Sequence, residues 1–470
     1  MIAIRHALAC AAICFVPVAA WAQALTPEQT EKVDTIVADA LKTSKVPSAS
    51  IAIVREGKIV YAKAYGDQGP DMKATSADAK YQIASISKQI TAAGILLLED
   101  EGKLSLDDKV SKWVPDVTDA DKITIRQLLS HTSGLQDYWP QDYDFAAMEK
   151  AVTPQGIVDR WARKPLDYAP GTAWQYSNTG YVVAGMIIEK ASGEPLLKYL
   201  ERKIFKPLKM QVVDNDKAVG KGFPQGNHRF ALGPVRKAKP AADGWLWAMG
   251  ELAMSASDLA KWDIARIERK VLTPEDWETQ ETIVNLADGS STRYGLGVSI
   301  GERGGAKVVT HGGEAVGFLS TNYVIPSKGY AVVSLVNADF GGAHDAIADG
   351  ITDLLMPEPK KVVAPTLDQI RDDLARKVFA QLQTGRLDRT LLTEDANYYF
   401  TETATDDYHA SLSPLGEPES FSMIGRPRLR GGFVNRNYLI AFKGQKLIAI
   451  TYSEPGAEGK FEQFILQPRD

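Results

Sequence analysis

The chain is short of cysteine. Its 470 residues include only two, Cys10 and Cys14, both near the N-terminus. A disulfide-stapled scaffold is therefore excluded, and the remaining chain offers no thiolate for a metal site or a nucleophile. Positive charge is also scarce. With 54 Lys and Arg against 59 Asp and Glu the formal net charge is -5, so there is no basic excess to neutralise phosphates, and nucleic acid is not expected as a partner. Past the N-terminus no segment approaches 18 uninterrupted apolar residues, which leaves no candidate membrane span and no stable membrane anchor. What is present, 44% hydrophobic and 24% charged residues, is the composition of an ordinary globular protein.

Arg5 and His6 precede an apolar run over residues 7–20, followed by Ala20-Trp21-Ala22 with small residues at the two positions a signal peptidase reads. This reads as a secretory signal peptide, residues 1–22, with cleavage expected after Ala22 and a periplasmic or secreted product. Acylation of Cys10 or Cys14 is the less favoured reading, because it would remove much of the apolar run. Both thiols leave with the signal.

Hydrophobic periodicity predicts an N-terminal helix over residues 27–43 and a hairpin over residues 48–66, in which Ile51, Ile53, Ile59 and Tyr61 alternate about a Glu56-Gly57 turn. Strand patterns return only at residues 294–300, 307–310, 319–325 and 330–336. Between them lies a long helical stretch. A sheet made from the two ends of a domain, with helices inserted in the middle, is an α+β plan. One domain over residues 23–356 follows, closed by a helix at 343–355. Prolines and charges at residues 357–365 predict a linker. A small C-terminal α+β domain, residues 366–470, is expected beyond it, with an amphipathic helix carrying Ile370, Leu374, Val378, Phe379 and Leu382. Short strands are expected at 397–400, 438–442 and 447–452.

Ser85-Ile86-Ser87-Lys88 opens the helical run 89–98. A serine there lies near the positive end of the helix dipole, and a lysine three residues on shares its face. The serine hydroxyl needs a base, and lysine can serve once desolvation lowers its pKa. Alone, the spacing is weak, since a helix cap followed by a solvated lysine gives the same pattern. Two further features change the reading. Tyr176-Ser177-Asn178 follows a turn-rich string and leads into a helix, and His311-Gly312-Gly313 ends a strand, where glycines let a substrate backbone approach.

These motifs in this order resemble the serine β-lactamase and penicillin-binding-protein superfamily, and most of all its class C β-lactamase-like group of esterases, D,D-carboxypeptidases and D-aminopeptidases. The similarity runs from about Pro47 to Asn337. It implies a β-lactamase-like antiparallel sheet flanked by helices, and a serine hydrolase acting through an acyl-enzyme. Ser85 would be the nucleophile, with Lys88 and Tyr176 the paired proton acceptors sharing one proton as a coupled unit. Asn178 would bond Lys88 and the substrate. The oxyanion hole would comprise the backbone N–H groups of Ser85 and of Glu314, which follows Gly313. No cofactor or metal is implied. The expected substrate is a small ester or amide, or a peptidoglycan-type peptide.

The sequence departs from the pattern at His311, where the superfamily usually has lysine. Histidine, largely neutral at pH 7, captures a carboxylate weakly. That favours an esterase or D-amino-acid peptidase over a β-lactamase. A non-catalytic envelope binding or sensor protein on the same fold is the reading from another class.

Other signals carry bland readings. Gly297-Val298-Ser299-Ile300-Gly301 matches a nucleophile elbow, yet a strand and not a helix is expected after Ser299. Ser87 and His131 read as structural groups. Trp139, Trp174, Trp245, Trp247 and Tyr138 fit either a pocket or the core. His228, His344 and His409 have no partner at metal-ligand spacing. Arg426, Arg428, Arg430 and Arg436 read as a solvated strand face, with anion binding the alternative. The C-terminal helix followed by strands resembles nuclear-transport-factor-like cones.

Overall fold

A computed structural model describes residues 24–73, 75–357 and 369–469. The expected signal peptide lies outside these residues, as does nearly all of the expected linker. Among the described residues no helix is long and apolar enough to cross a membrane.

The chain opens with α1 (Pro27–Ser44), fixed by a capping box between Thr26 and Gln29 and by a proline in its first turn. Strands β1 (Ser48–Arg55) and β2 (Lys58–Gly66) form the hairpin. The inserted helical region holds α2 (Ser87–Asp100), α3 (Asn178–Ser192) and α4 (Ala256–Ile267), joined by long irregular segments and short helices. Four strands then complete the sheet: β3 (Ser299–Arg303), β4 (Ala306–Ala315), β5 (Phe318–Ile325) and β6 (Tyr330–Val336). The helix α5 (Ala343–Leu355) follows.

The six strands are ordered β2-β1-β6-β5-β4-β3, all neighbours antiparallel. The first and last strands of the domain are therefore paired, with Ala49 opposite Val336. The alternation along β1 explains why both faces of the sheet are covered. Ile51 and Ile53 pack with Val33 and Val37 of α1 and Ile347 and Ile351 of α5. Ala52 and Val54 face the other way, into the core that contains Ile90 of α2 and Leu259 of α4.

Beyond residue 368 come α6 (Gln369–Thr384), α7 (Glu402–Leu412) and an up-and-down antiparallel sheet of β7 (Ser420–Arg430), β8 (Phe433–Phe442), β9 (Gln445–Ser453) and β10 (Phe461–Arg469). Val378, Phe379 and Leu382 pack there against Phe421, Tyr438 and Phe464. Two expectations are corrected. Ile370 is exposed and not part of the apolar face. The strand expected at 397–400 falls mostly within a helix, Glu394–Tyr399, because the Thr393 hydroxyl accepts from the Ala396 N–H and caps it.

Candidate active site

Ser85 occupies a tight helical turn, Ala84–Ile86, directly before α2. Ala84 has φ of 46°, a left-handed conformation that costs a non-glycine residue energy and sets the entry angle of the serine. Lys88 Nζ points back along the helix and lies 2.9 Å from Ser85 Oγ, 2.8 Å from Asn178 Oδ1 and 2.9 Å from the Met249 carbonyl. The last two accept from it, while a hydroxyl both donates and accepts, so the Ser85 contact serves either form of the lysine. Lys88 has no exposed surface. Desolvation pushes its pKa well below the usual lysine range, with Asp137 opposing and Arg430 reinforcing the shift. A buried amine of lowered proton affinity is thus built into the helix that directly follows the serine.

Tyr176 lies beside this pair, its ring centroid 4.9 Å from Lys88 Nζ. Desolvation raises the phenol above its ordinary value, and a hydrogen bond with Ser85 and the Arg430 charge partly oppose that. The neighbouring ammonium alone would bring a phenol nearer neutrality. Burial acts oppositely on the two groups, strengthening the phenol's hold on its proton and weakening the lysine's. Asn178 begins α3, whose cap is Ser177, the hydroxyl accepting from the Gly180 N–H.

His131, His311 and Tyr294 form the wall behind Tyr176. His131 is fully buried, its ring 4.2 Å from that of Tyr176, and its Nδ1 accepts from the Ser177 N–H. Burial holds it neutral, so it positions the tyrosine loop as a structural group. His311 lies within β4, which continues to Ala315 instead of ending at Thr310. Its Nε2 is 2.7 Å from the Tyr294 hydroxyl and its Nδ1 is 2.6 Å from the Gly312 carbonyl. Burial, with Lys88 adding to it, lowers its pKa to about 4. Nδ1–H therefore donates to Gly312, Nε2 accepts from Tyr294, and the ring carries no charge at neutral pH.

Strand β3 pairs with β4 only from Ala306 to Thr310. From His311 onward that edge of β4 is open, and it borders a cavity of about 260 Å³ lined also by Ser85, Tyr176 and Asn178. Gly313 permits this approach. A Cβ there would lie 2.1 Å from the Ile83 carbonyl oxygen, so a side chain would push the strand off the turn that carries Ser85. Glu314 is exposed at the mouth of the cavity.

The remaining candidates separate. Ser299 is in strand β3 opposite Thr310, without the helix an elbow requires. Ser87 Oγ accepts from the Leu252 N–H. Trp139 lines the cavity, Trp174 packs on His131 and Tyr294, and Tyr138 and Trp245 belong to an aromatic cluster in the core. Sequence reasoning missed one residue of the site and misplaced another. Asp137, buried, accepts from both the backbone and side-chain N–H groups of Asn178, at 3.1 and 3.3 Å. Arg430, at the end of β7, enters the same cavity. The solvated face expected for the arginine cluster holds for Arg426 and Arg428, which are exposed, but not for Arg430. No sequence pattern joins a C-terminal hairpin to this site.

A serine held by a buried, desolvated lysine, with a tyrosine alongside and an open strand edge opposite, defines a serine hydrolase of the β-lactamase and penicillin-binding-protein type. The family model described as Beta-lactamase matches residues 33–355, and the chain belongs to that family. Among its relatives, Protein flp of Staphylococcus aureus (strain NCTC 8325 / PS 47) is 29% identical over 375 residues, 74% of this chain and 71% of that protein. The D-stereospecific amidohydrolase from Streptomyces sp. has a TM-score of 0.60 at 27% identity, covering 70% of this chain and 99% of its own. The octameric penicillin-binding protein homologue from Pyrococcus abyssi has a TM-score of 0.62 at 23% identity, covering 93% and 99%. The likeness in fold therefore reaches into the C-terminal unit.

Proposed function

We propose that the protein is an exported serine hydrolase that cleaves an ester or amide through an acyl-enzyme on Ser85, as an esterase or a D-amino-acid amidase or peptidase. The observation that carries this reading is the 2.9 Å contact between Ser85 Oγ and the wholly buried Lys88 Nζ. Neutral Lys88 takes the Ser85 proton as Oγ bonds to the carbonyl carbon. The negative oxygen of the tetrahedral intermediate is held by the N–H groups of Ser85 and Glu314, a pair of donors each worth about 10²–10³ in rate. Tyr176 gives its proton to the leaving amine or alkoxide as the bond to carbon breaks, and is reprotonated from Lys88. Water then attacks the acyl-serine, its proton passing to the same pair, and the acid leaves as Ser85 regains its hydrogen.

Two features favour an esterase or amidase over a β-lactamase. His311 presents no fixed charge to a carboxylate, its ring being occupied on both nitrogens. A D-stereospecific amidohydrolase is among the structural relatives. The N-terminal apolar run supports export, with substrates of the cell envelope, including peptidoglycan-type peptides, in reach. The test is labelling by a phosphonate probe followed by peptide mapping. Modification at Ser85 that disappears in Ser85→Ala is expected, and labelling that survives the substitution overturns the assignment. Turnover of a nitrophenyl ester, a D-alanyl peptide and a chromogenic cephalosporin then ranks the substrates, and fast cephalosporin hydrolysis would reverse the preference for an esterase or amidase.

A further inference from the structure

The tip of the β7–β8 hairpin, Arg430-Gly431-Gly432, is seated on the catalytic domain. A Cβ added to Gly431 would lie 2.6 Å from Pro140 Cβ and 3.2 Å from the Asp137 carbonyl oxygen, so the backbone there touches the segment that lines the active site. From this seat Arg430 reaches inward. Its Nε donates to Asp137 Oδ2 at 2.9 Å, one Nη to the Trp139 carbonyl at 3.2 Å, and the other Nη to the Tyr452 hydroxyl at 3.3 Å. Its guanidinium carbon lies 4.9 Å from the centroid of the Tyr176 ring. A second tie holds the same edge, where Gln463 Nε2 donates to Asp142 Oδ2 at 2.7 Å.

We propose that Arg430 is a positioning residue of the catalytic site, by which the C-terminal unit orients Asn178 and sets the charge facing Lys88 and Tyr176. The proposal rests on the reading of Ser85 as nucleophile. Asp137 is the hub. One of its carboxylate oxygens takes the Arg430 Nε–H and the Asn178 amide, and the other takes the Asn178 and Trp139 backbone N–H groups. With its amide nitrogen so anchored, Asn178 must turn Oδ1 toward Lys88, which it meets at 2.8 Å. A planar fork spanning Asp137, a carbonyl and a hydroxyl fixes that geometry in a way a point charge does not.

The electrostatic part acts in parallel. Arg430 disfavours the charged form of Lys88 and favours the anionic form of Tyr176, the protonation states needed at successive steps. Facing Lys88 and Tyr176 are Asp137, Arg430, His131, His311, Glu314, Tyr138, Tyr181 and Tyr294. Facing Arg430 are Asp137, Asp142, Tyr176 and Tyr452. The histidines are held neutral by burial, which leaves Arg430 as the fixed cation facing Lys88 and Tyr176.

The test uses the full chain and a nitrophenyl ester. In Arg430→Gln, kcat is expected to fall at least about tenfold with little change in KM, and the acid limb of kcat/KM to move up by about one pH unit as Lys88 regains proton affinity. Arg430→Lys keeps the charge and loses the fork, so the acid limb stays near its original position while kcat remains low. Gly431→Ala, which lifts the hairpin from Pro140 and leaves Arg430 intact, is expected to lower kcat as well, and it carries the test if Arg430→Gln does not fold. An unmoved acid limb in Arg430→Gln with kcat retained overturns the proposal. So does a loss confined to KM, which would make Arg430 a substrate-binding group. Phosphonate labelling of the unsubstituted protein is measured alongside. If Ser85 is not labelled the proposed function itself fails, whereas labelling with an Arg430→Gln profile identical to the parent removes only the role assigned to Arg430.

Discussion

The Tyr294 hydroxyl and His311 Nε2 lie 2.7 Å apart, and this contact favours a neutral ring on the strand that shares a cavity with Ser85. With its other nitrogen on the Gly312 carbonyl, the buried imidazole is satisfied as a neutral ring. Protonation would require Nε2 to become a donor and Tyr294 to turn its hydrogen away.

Stability should report this directly. The folded-state pKa of His311, about 4, is below the unfolded value of about 6.5. Between those values the unfolded chain binds more protons, so stability rises with pH across the window and is lost as pH falls from about 6.5 to about 4. The contribution is on the order of 3 kcal/mol. His311→Gln is expected to flatten the decline in urea-unfolding free energy over that range, and an unchanged slope would show that His311 is not the titrating group.

Glu251 has the opposite sign. Desolvation, with Asp214 adding to it, raises its pKa to about 8 in the folded protein. In this case the folded state binds the extra proton, so stability declines as pH rises from about 4.5 toward about 8. Glu251→Gln should raise the Tm at pH 8 more than at pH 5, and thermal melts at the two values decide it.

Lys88→Arg retains a cation but cannot yield a base at neutral pH. A loss of about 10²–10⁴ in kcat is expected, the range for removing a positioned proton acceptor. Comparison of rates with and without the substitution, alongside thermal melts showing an unchanged Tm, separates lost chemistry from lost folding.

Tyr176→Phe should discriminate between leaving groups. A nitrophenolate departs without protonation, whereas an amine does not. The fall in kcat is therefore expected to be at least about tenfold larger for a D-alanyl amide than for a nitrophenyl ester. Equal losses would remove Tyr176 from the role of acid.

Gly313→Ala places a methyl group 2.1 Å from the Ile83 carbonyl oxygen and 2.3 Å from Ser320 Oγ. Displacing β4 from the nucleophile turn by a fraction of an ångström to an ångström is expected to cost up to about 10² in kcat/KM, with a lowered Tm. Parent-like kinetics would mean that the strand edge does not bind the reacting carbonyl.

The alternation of Ile51 and Ile53 with Ala52 and Val54 is a property of consecutive residues, so the hairpin and the covered sheet were readable from local pattern. The Ser85 and Lys88 pair is likewise local, since three residues of helix bring them to one face. Tyr176, Asn178 and His311 carried meaning only through the order of motifs. Residues 397–400 misled because Tyr and Phe favour strands, while the Thr393 cap, a specific hydrogen bond, outweighed that preference.

The sequence by itself determined which chemistry is available: a serine with a lysine three residues on, no thiol outside the N-terminal segment, and a histidine where a fixed cation is usual. Tertiary structure decided the state of those groups. Burial removes water from Lys88 and His311 and so lowers their proton affinity, and no residue string records burial. It also decided that a C-terminal arginine lies against Tyr176. That contact depends on the tip of the β7–β8 hairpin docking at Gly431 on the irregular segment around Pro140, and ion pairs between segments so remote along the chain leave no periodic trace in it.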